Sequence, residues 1–290
     1  MARPSRSLHR KVVFITGAAR GIGRATAAAL VGEGARVVIA DLDAELAADT
    51  AVEVGAELAQ GVDVTDHAAF TAALDEAERN VGLLDVLINN AGVMPIGAFP
   101  DETDESAYRA FEINVFAVMH GTREALRRMQ PRGHGHVVNV ASMAGVVPTP
   151  GAAIYAASKH AVVGFCESLW WELRGSGVDL SYVLPALVNT ELAAGVKRTR
   201  ASNVIEPEAV AAEIIGALKS PRLAVFAPHS MGPITKVSAM LPRAVGNRIM
   251  TASGSDRLIL DSLGSAGRTA YQQRVDASAP AGDAARRARK

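Results

Sequence analysis

A single cysteine, Cys166, rules out an internal disulfide and any zinc site built on thiolates, and such usage suits a reducing compartment. Net charge is missing as well. Thirty Lys and Arg are balanced by 30 Asp and Glu, so no overall field draws the chain to nucleic acid or to an anionic membrane, and any electrostatic steering must be local. No apolar run approaches the length that crosses a bilayer, and the basic start (Arg3, Arg6, Arg10, Lys11) reaches the strand-like Val12-Val13-Phe14-Ile15 without a signal-type apolar region. These absences lead to the expectation of a soluble, cytoplasmic protein with no nucleic-acid partner. Internal repeats and interior linkers are absent too, and low complexity is confined to the Ala/Arg-rich end, residues 277–290, expected to be disordered.

What is present is enough apolar material for a large core: 49% of the 290 residues are hydrophobic and 21% charged. Short β-branched runs alternate with longer Ala-rich amphipathic segments, the pattern of βαβ units. Seven strands are predicted, at 11–16, 36–40, 59–62, 84–88, 136–141, 179–184 and 223–226. Helices are predicted at 23–33, 44–54, 104–129 and 155–174. The expected architecture is an α/β fold, a Rossmann-type doubly wound parallel sheet with helices on both faces. It occupies residues 11–226, after a flexible N-terminus at 1–10 and before a C-terminal extension at 227–276.

The first strand-to-helix turn, Thr16-Gly17-Ala18-Ala19-Arg20-Gly21-Ile22-Gly23, brings glycines to a helix N-terminus. Bare backbone and the helix dipole make that position an anion site for a pyrophosphate, while Gly23 allows close packing of helix on strand. Asp41 ends the second strand and can accept both adenosine ribose hydroxyls; its charge repels a 2′-phosphate, which favours NAD over NADP. Arg20 pulls the other way, since a guanidinium there can bind a 2′-phosphate. Asp63, followed by Val64, suits adenine recognition, although Asp63-Val64-Thr65-Asp66 also reads as a helix cap. Asn89-Asn90-Ala91-Gly92 after the fourth strand can bind backbone and cofactor together or serve as a plain turn. Asn114 sits in an apolar helical pattern, where a buried amide requires hydrogen-bond partners.

Tyr155 and Lys159 stand four apart, side by side on a helix, and an adjacent cation favours the phenolate of a residue that ordinarily ionises near pKa 10. Ser142 closes the apolar run 137–141, at a strand's carboxyl end, where ligands bind in open α/β sheets.

With these motifs in this order and spacing, the sequence from Lys11 to Phe226 resembles the short-chain dehydrogenase/reductase family. The resemblance implies that Tyr155 is the catalytic acid/base and that Ser142 hydrogen-bonds the substrate oxygen. Lys159 then binds the nicotinamide ribose and lowers the tyrosine's pKa, and Asn114 supports a proton relay from the lysine to solvent. Pro185, Val188 and Thr190 match the family's segment after the sixth strand, but Ala186 replaces its usual glycine, and a small shift in cofactor placement or pocket is expected there. Dimers or tetramers through helices 104–129 and 155–174 are also implied, with Phe165, Leu169 and Trp170 as candidate contact residues.

Three apolar loops, 93–96, 143–148 and 187–196, are expected to wall the pocket, which suits a hydrophobic alcohol or ketone. His134 and His136 invite a metal reading, but with no carboxylate or thiol beside them no metal is expected. Ile234, Val237, Leu241, Val245 and Ile249 recur at helical spacing in the extension, interrupted by Pro242. A subunit contact or pocket cover is favoured there over a peripheral membrane surface. The function expected is NAD-dependent hydride transfer with a hydrophobic secondary alcohol or ketone; an NADPH-dependent biosynthetic ketoreductase and a non-catalytic dinucleotide sensor are the alternatives.

Overall fold

A computed structural model describes residues 5–196 and 204–277. From Val12 to Ala227 strand and helix alternate. The first half contains β1 (Val12–Thr16), α1 (Gly21–Gly32), β2 (Arg36–Asp41), α2 (Ala44–Val54), β3 (Leu58–Gly61), α3 (His67–Asn80) and β4 (Val86–Asn89). The second contains α4 (Asp104–Phe111), α5 (Ala117–Met129), β5 (Gly135–Val140), α6 (Ala153–Glu172), β6 (Val178–Pro185), α7 (Pro207–Lys219) and β7 (Ala224–Ala227). Helices α8 (Met231–Met240), α9 (Arg243–Ser253) and α10 (Ala266–Ala277) follow.

All strand pairs are parallel, in the order β3-β2-β1-β4-β5-β6-β7. This is the doubly wound sheet expected from the sequence, with strand ends within two residues of the predicted ones. Residue alternation divides the core. Val13 and Ile15 of β1 pack with α1, α2 and α7 on one face. Val12 and Phe14 pack with α3, α5 and α6 on the other. Both faces being buried, the central strands β1, β2 and β4 read as near-continuous apolar runs rather than as an apolar/polar alternation. Winding reverses between β1 and β4, so a crevice opens at the carboxyl ends of these strands and of β5, the position where open α/β sheets bind ligands.

Three details differ from expectation. The helix predicted over 104–129 is interrupted by a π-turn at Glu112–Phe116, where the Ala117 N–H reaches back to the Glu112 carbonyl. The apolar stripe of the extension does not form one helix, because Pro242 lacks an N–H and ends up as the N-cap of α9, separating it from α8. Residues 5–10, expected to be flexible, are tied to the domain. The Arg6 N–H bonds to the Lys219 carbonyl at 2.9 Å and Leu8 is buried in the core. The expectation for the tail lies, from residue 278 onward, outside the described residues.

Candidate active site

A continuous cleft of about 890 Å³ runs across the carboxyl end of the sheet. At one end is the glycine turn. Gly17 has φ 62°, and a Cβ built on it would meet Ala91 Cα at 2.8 Å; one on Gly23 would meet Ala18 Cα at 2.7 Å. Glycine is therefore required for the turn to fold under the neighbouring loop, and the bare backbone, with the N-terminus of α1, is left facing the cleft. Gly17, Arg20, Gly21 and Ile22 line it; Gly23 lies behind them as a packing residue.

Asp41, at the tip of β2, is aimed by the backbone: its carboxylate accepts from the Ala19 N–H at 3.0 Å and the Asp43 N–H at 3.2 Å. Arg20 is occupied. It pairs with Asp43 at 2.9 Å and Glu191 at 3.1 Å. Burial works against its charge, but Glu191, Asp41 and Asp43 outweigh that effect and hold its pKa above the ordinary value. Asp63 accepts from the Thr65 N–H and hydroxyl at 2.9 and 2.8 Å, while Asp66 caps α3 by accepting from Ala68 and Ala69. The cap and the cleft-facing carboxylate are thus different residues, and Asp63 and Val64 both line the cleft.

Asn90 fastens the β4 loop to the glycine turn, donating to the Thr16 and Gly17 carbonyls at 3.0 and 2.7 Å. The Thr16 hydroxyl accepts in return from the Asn90 and Ala91 N–H groups, at 3.0 and 3.1 Å. Thr16 was missed in the sequence, where it reads only as a strand end. Pro185, Val188 and Thr190 line the opposite wall, and the Thr190 methyl would lie 3.2 Å from a Cβ on Gly21. Ala186 also faces the cleft. Its N–H bonds to the Ala227 carbonyl at 2.8 Å, and its φ is not positive, so the backbone there admits a methyl.

At the other end Ser142, Tyr155 and Lys159 meet. Ser142 follows β5 and opens a 3₁₀ turn, accepting from the Ala144 N–H at 3.1 Å. Its hydroxyl is close enough to the Tyr155 phenol to pull the phenol's pKa down. Tyr155 and Lys159 lie on the buried face of α6; the ammonium donates to the Val140 carbonyl at 2.9 Å and stands 5.8 Å from the tyrosine ring centre. Burial dominates the titration of both. It pushes Tyr155 up to about 12, against the pull of Ser142 and with a further upward push from Tyr271, and it pushes Lys159 down to about 8. The lowering of the Tyr155 pKa expected from the Tyr/Lys pairing is thus opposed by desolvation, which is the largest influence on the phenol, and Lys159 is not among the groups that shift it.

Asn114 lies behind the cleft in the π-turn, fully buried. Its carbonyl oxygen accepts from the Val93 N–H at 2.9 Å and its amide donates to the Val93 carbonyl and the Ser158 hydroxyl, at 2.9 and 3.0 Å. A Cβ on Gly92 would fall 3.1 Å from Asn114 Oδ1 and 3.5 Å from Lys159 Nζ, so the glycine keeps the space between them open.

The three expected loops do wall this end, through residues such as Met94, Val147 and Leu192. The extension, expected as a pocket cover or subunit contact, reaches the cleft, through residues that the sequence did not single out. Met231, Leu258, Ile259 and Tyr271 of the extension also line the cleft. The Tyr271 hydroxyl accepts from the Met94 N–H at 3.2 Å; Arg268 lies 4.3 Å from the Tyr271 ring and donates to the Met94 and Leu192 carbonyls, the latter at 3.0 Å. Only the apolar character of the extension signalled any of this. His136 is buried against the Ser181 hydroxyl at 2.9 Å, and burial lowers its pKa to about 4; His134 is exposed, 3.9 Å from Asp85.

The family model for short chain dehydrogenases matches residues 11–201. Among similar proteins, Momilactone A synthase of Oryza sativa subsp. japonica is 39% identical over 212 residues, 72% of this chain and 75% of the relative. The 2-dehydro-3-deoxy-L-rhamnonate dehydrogenase (NAD(+)) of Sphingomonas sp. is 37% identical over 180 residues, 61% and 71% of the two chains. A solved short chain dehydrogenase/reductase from Burkholderia phymatum, in complex with NAD, superposes with a TM-score of 0.74 at 29% identity, covering 81% of this chain and 94% of that one. Sheet order, glycine turn, the Ser142, Tyr155 and Lys159 cluster and the matched family model agree: this chain belongs to the short-chain dehydrogenase/reductase family.

Proposed function

We propose that the protein is an NAD-dependent oxidoreductase that interconverts a hydrophobic secondary alcohol and its ketone. The observation that carries this reading is the continuous cleft joining Asp41 and the glycine turn to Ser142 and Tyr155. The bare turn, the N-terminus of α1 and the backbone-aimed Asp41 carboxylate fit a dinucleotide, and the NAD-bound neighbour and the NAD(+) named relative support the same choice. NAD, when bound, supplies the hydride-accepting carbon.

The chain's own residues do the rest. Gly17, Gly21 and Ile22 face the pyrophosphate, and Asp41 holds the adenosine ribose. Asp63 and Val64 bound the adenine, while Asn90, Ala91, Gly92, Pro185, Val188 and Thr190 shape the path to the nicotinamide end. Ser142 holds the substrate oxygen, and Tyr155 exchanges its proton. Lys159 binds the nicotinamide ribose and passes protons on past Gly92, where Asn114 fixes the loop. Apolar walls from Met94, Val147, Leu192 and Ile259 favour a hydrophobic substrate over a polyol, and the extension serves as the pocket's cover. Arg20, already paired with two carboxylates, lends little to the NADPH alternative. A panel of hydrophobic secondary alcohols, followed by NADH formation at high pH, tests the proposal. Turnover of several members is expected; no turnover with any alcohol or, in reverse, any ketone would refute it.

A further inference from the structure

Between Met231 and Ser255, both of which line the cleft, the chain forms the α8–α9 hairpin. Its outer surface is apolar: Ile234 is 57% exposed, Val237 61%, Met240 84%, Val245 40% and Ile249 54%. No residue of α9 is buried. A helix of its length is marginal in water unless one face is covered, and apolar side chains gathered in this way mark a surface that meets a partner.

Charge identifies the partner. From Ile214 to Ser255 the sequence contains no Asp or Glu, while Lys219, Arg222, Lys236, Arg243 and Arg248 fall within it. Lys219 and Arg222 are paired to Glu33 and Glu213. Arg243 and Arg248 are exposed on α9, and no described residue forms an ion pair with either. A chain of zero net charge thus carries a local positive excess along the same helices as these exposed apolar side chains.

We propose that the α8–α9 hairpin docks on an anionic phospholipid surface, with Ile234, Val237, Met240, Val245 and Ile249 at the acyl boundary and the arginines among the headgroup phosphates. It lies on the bilayer and does not cross it, since among the described residues no helix is long and apolar enough to do so. A second copy of the chain is a poorer occupant. A two-fold contact sets this acid-free surface against itself, cation facing cation. Docking has a use because the hairpin is the rim of the cleft: Met231 at its start and Ser255 and Leu258 beyond its end face the substrate space. On the oxidoreductase reading above, the substrate is then an alcohol or ketone dissolved in lipid, which enters from the membrane.

Sedimentation of the full-length protein with vesicles tests the docking. Phosphatidylcholine vesicles are compared with vesicles that also contain phosphatidylglycerol. The wild type should pellet with the anionic vesicles, bind neutral ones at least about tenfold more weakly, and be released as salt rises. Arg243→Glu with Arg248→Glu should lower anionic binding at least about tenfold, and Met240→Asp with Ile249→Asp should abolish it. None of these four residues lines the cleft, so turnover of a water-soluble alcohol should be unchanged in both variants. The vesicle result is therefore read apart from the chemistry: pelleting without any turnover removes the oxidoreductase reading and leaves the docking intact. If the aspartate variant does not fold, the arginine variant decides alone. A wild type that stays in the supernatant, or an arginine variant that pellets equally, overturns the proposal. So does a wild type that fails to bind vesicles while the aspartate variant halves the mass in solution, the signature of a second copy on this face.

Discussion

Asp41 and Arg20 line the same part of the cleft and would make opposite demands on an adenosine ribose bound there. A 2′-phosphate carries close to two negative charges, and setting it beside the Asp41 carboxylate in a partly desolvated cleft costs on the order of several kcal/mol. Arg20 offsets little of that, because Asp43 and Glu191 already hold it. NAD is therefore expected to exceed NADP at least about tenfold in kcat/KM, roughly 1.4 kcal/mol, and Asp41→Ala to erode the difference; steady-state kinetics with both cofactors check this. Asp41's place was legible in the sequence because strand and motif fix it locally. Arg20's engagement was not, since Glu191 reaches it from a distant loop. Tyr155 makes the same point. Its spacing from Lys159 was readable, but burial is a tertiary quantity, and burial sets the phenol's pKa near 12. A raised pKa keeps the phenol protonated at neutral pH, ready to donate in ketone reduction, whereas alcohol oxidation needs the phenolate. Oxidation should thus rise with pH from about 7 towards 12, less steeply above about 8, where Lys159 loses its charge. Reduction should not rise over that range. A flat oxidation profile in initial-rate measurements would contradict the assignment.

At the scale of elements, the seven strands and helices α1, α2, α5 and α6 declared themselves through apolar strands, polar or glycine strand ends and amphipathic spacing, whereas α3 showed only its cap at Asp66 and α7 was not among the predicted helices. The π-turn left a weaker trace, an Asn in an apolar pattern, and the trace located the residue without revealing the widened backbone around it. The roof left an apolar extension that reads as a pocket cover or subunit contact, but no sign of the residues that anchor it. Its bonds from Tyr271 and Arg268 to Met94 span 177 and 174 residues, and no local pattern encodes a partner so far away. Arg268 ties the β4 loop to the loop after β6 and steadies Tyr271 over the cleft. Arg268→Ala would strand two carbonyls and free the roof. We expect a stability loss of about 1–3 kcal/mol and a raised KM with kcat changed much less, measured by chemical denaturation and kinetics. An unchanged KM would show that the roof does not shape the substrate site.

For the molecule as a whole, the reversal of winding between β1 and β4 gathers loops from both halves of the chain over one crevice, so residues scattered from Gly17 to Tyr271 line one cleft. Two-sided burial of the sheet made that architecture readable from composition and periodicity alone. Assembly is less directly encoded. Phe165 and Leu169, expected at a subunit contact, are half-buried against the core, whereas Phe116, Trp170 and Trp171 are exposed near the same helices. We propose a dimer or tetramer through α5 and α6 on that basis; light scattering at micromolar concentration should give a multiple of the 30.2 kDa chain mass, and a monomeric mass would contradict it. The central claim, that this cleft performs NAD-linked proton and hydride transfer with Tyr155 handling the proton, is tested most directly by Tyr155→Phe. NAD binding measured by calorimetry should be close to that of the wild type, while NADH formation from an accepted alcohol falls about 10²- to 10⁴-fold. Full turnover by the phenylalanine variant would contradict the account.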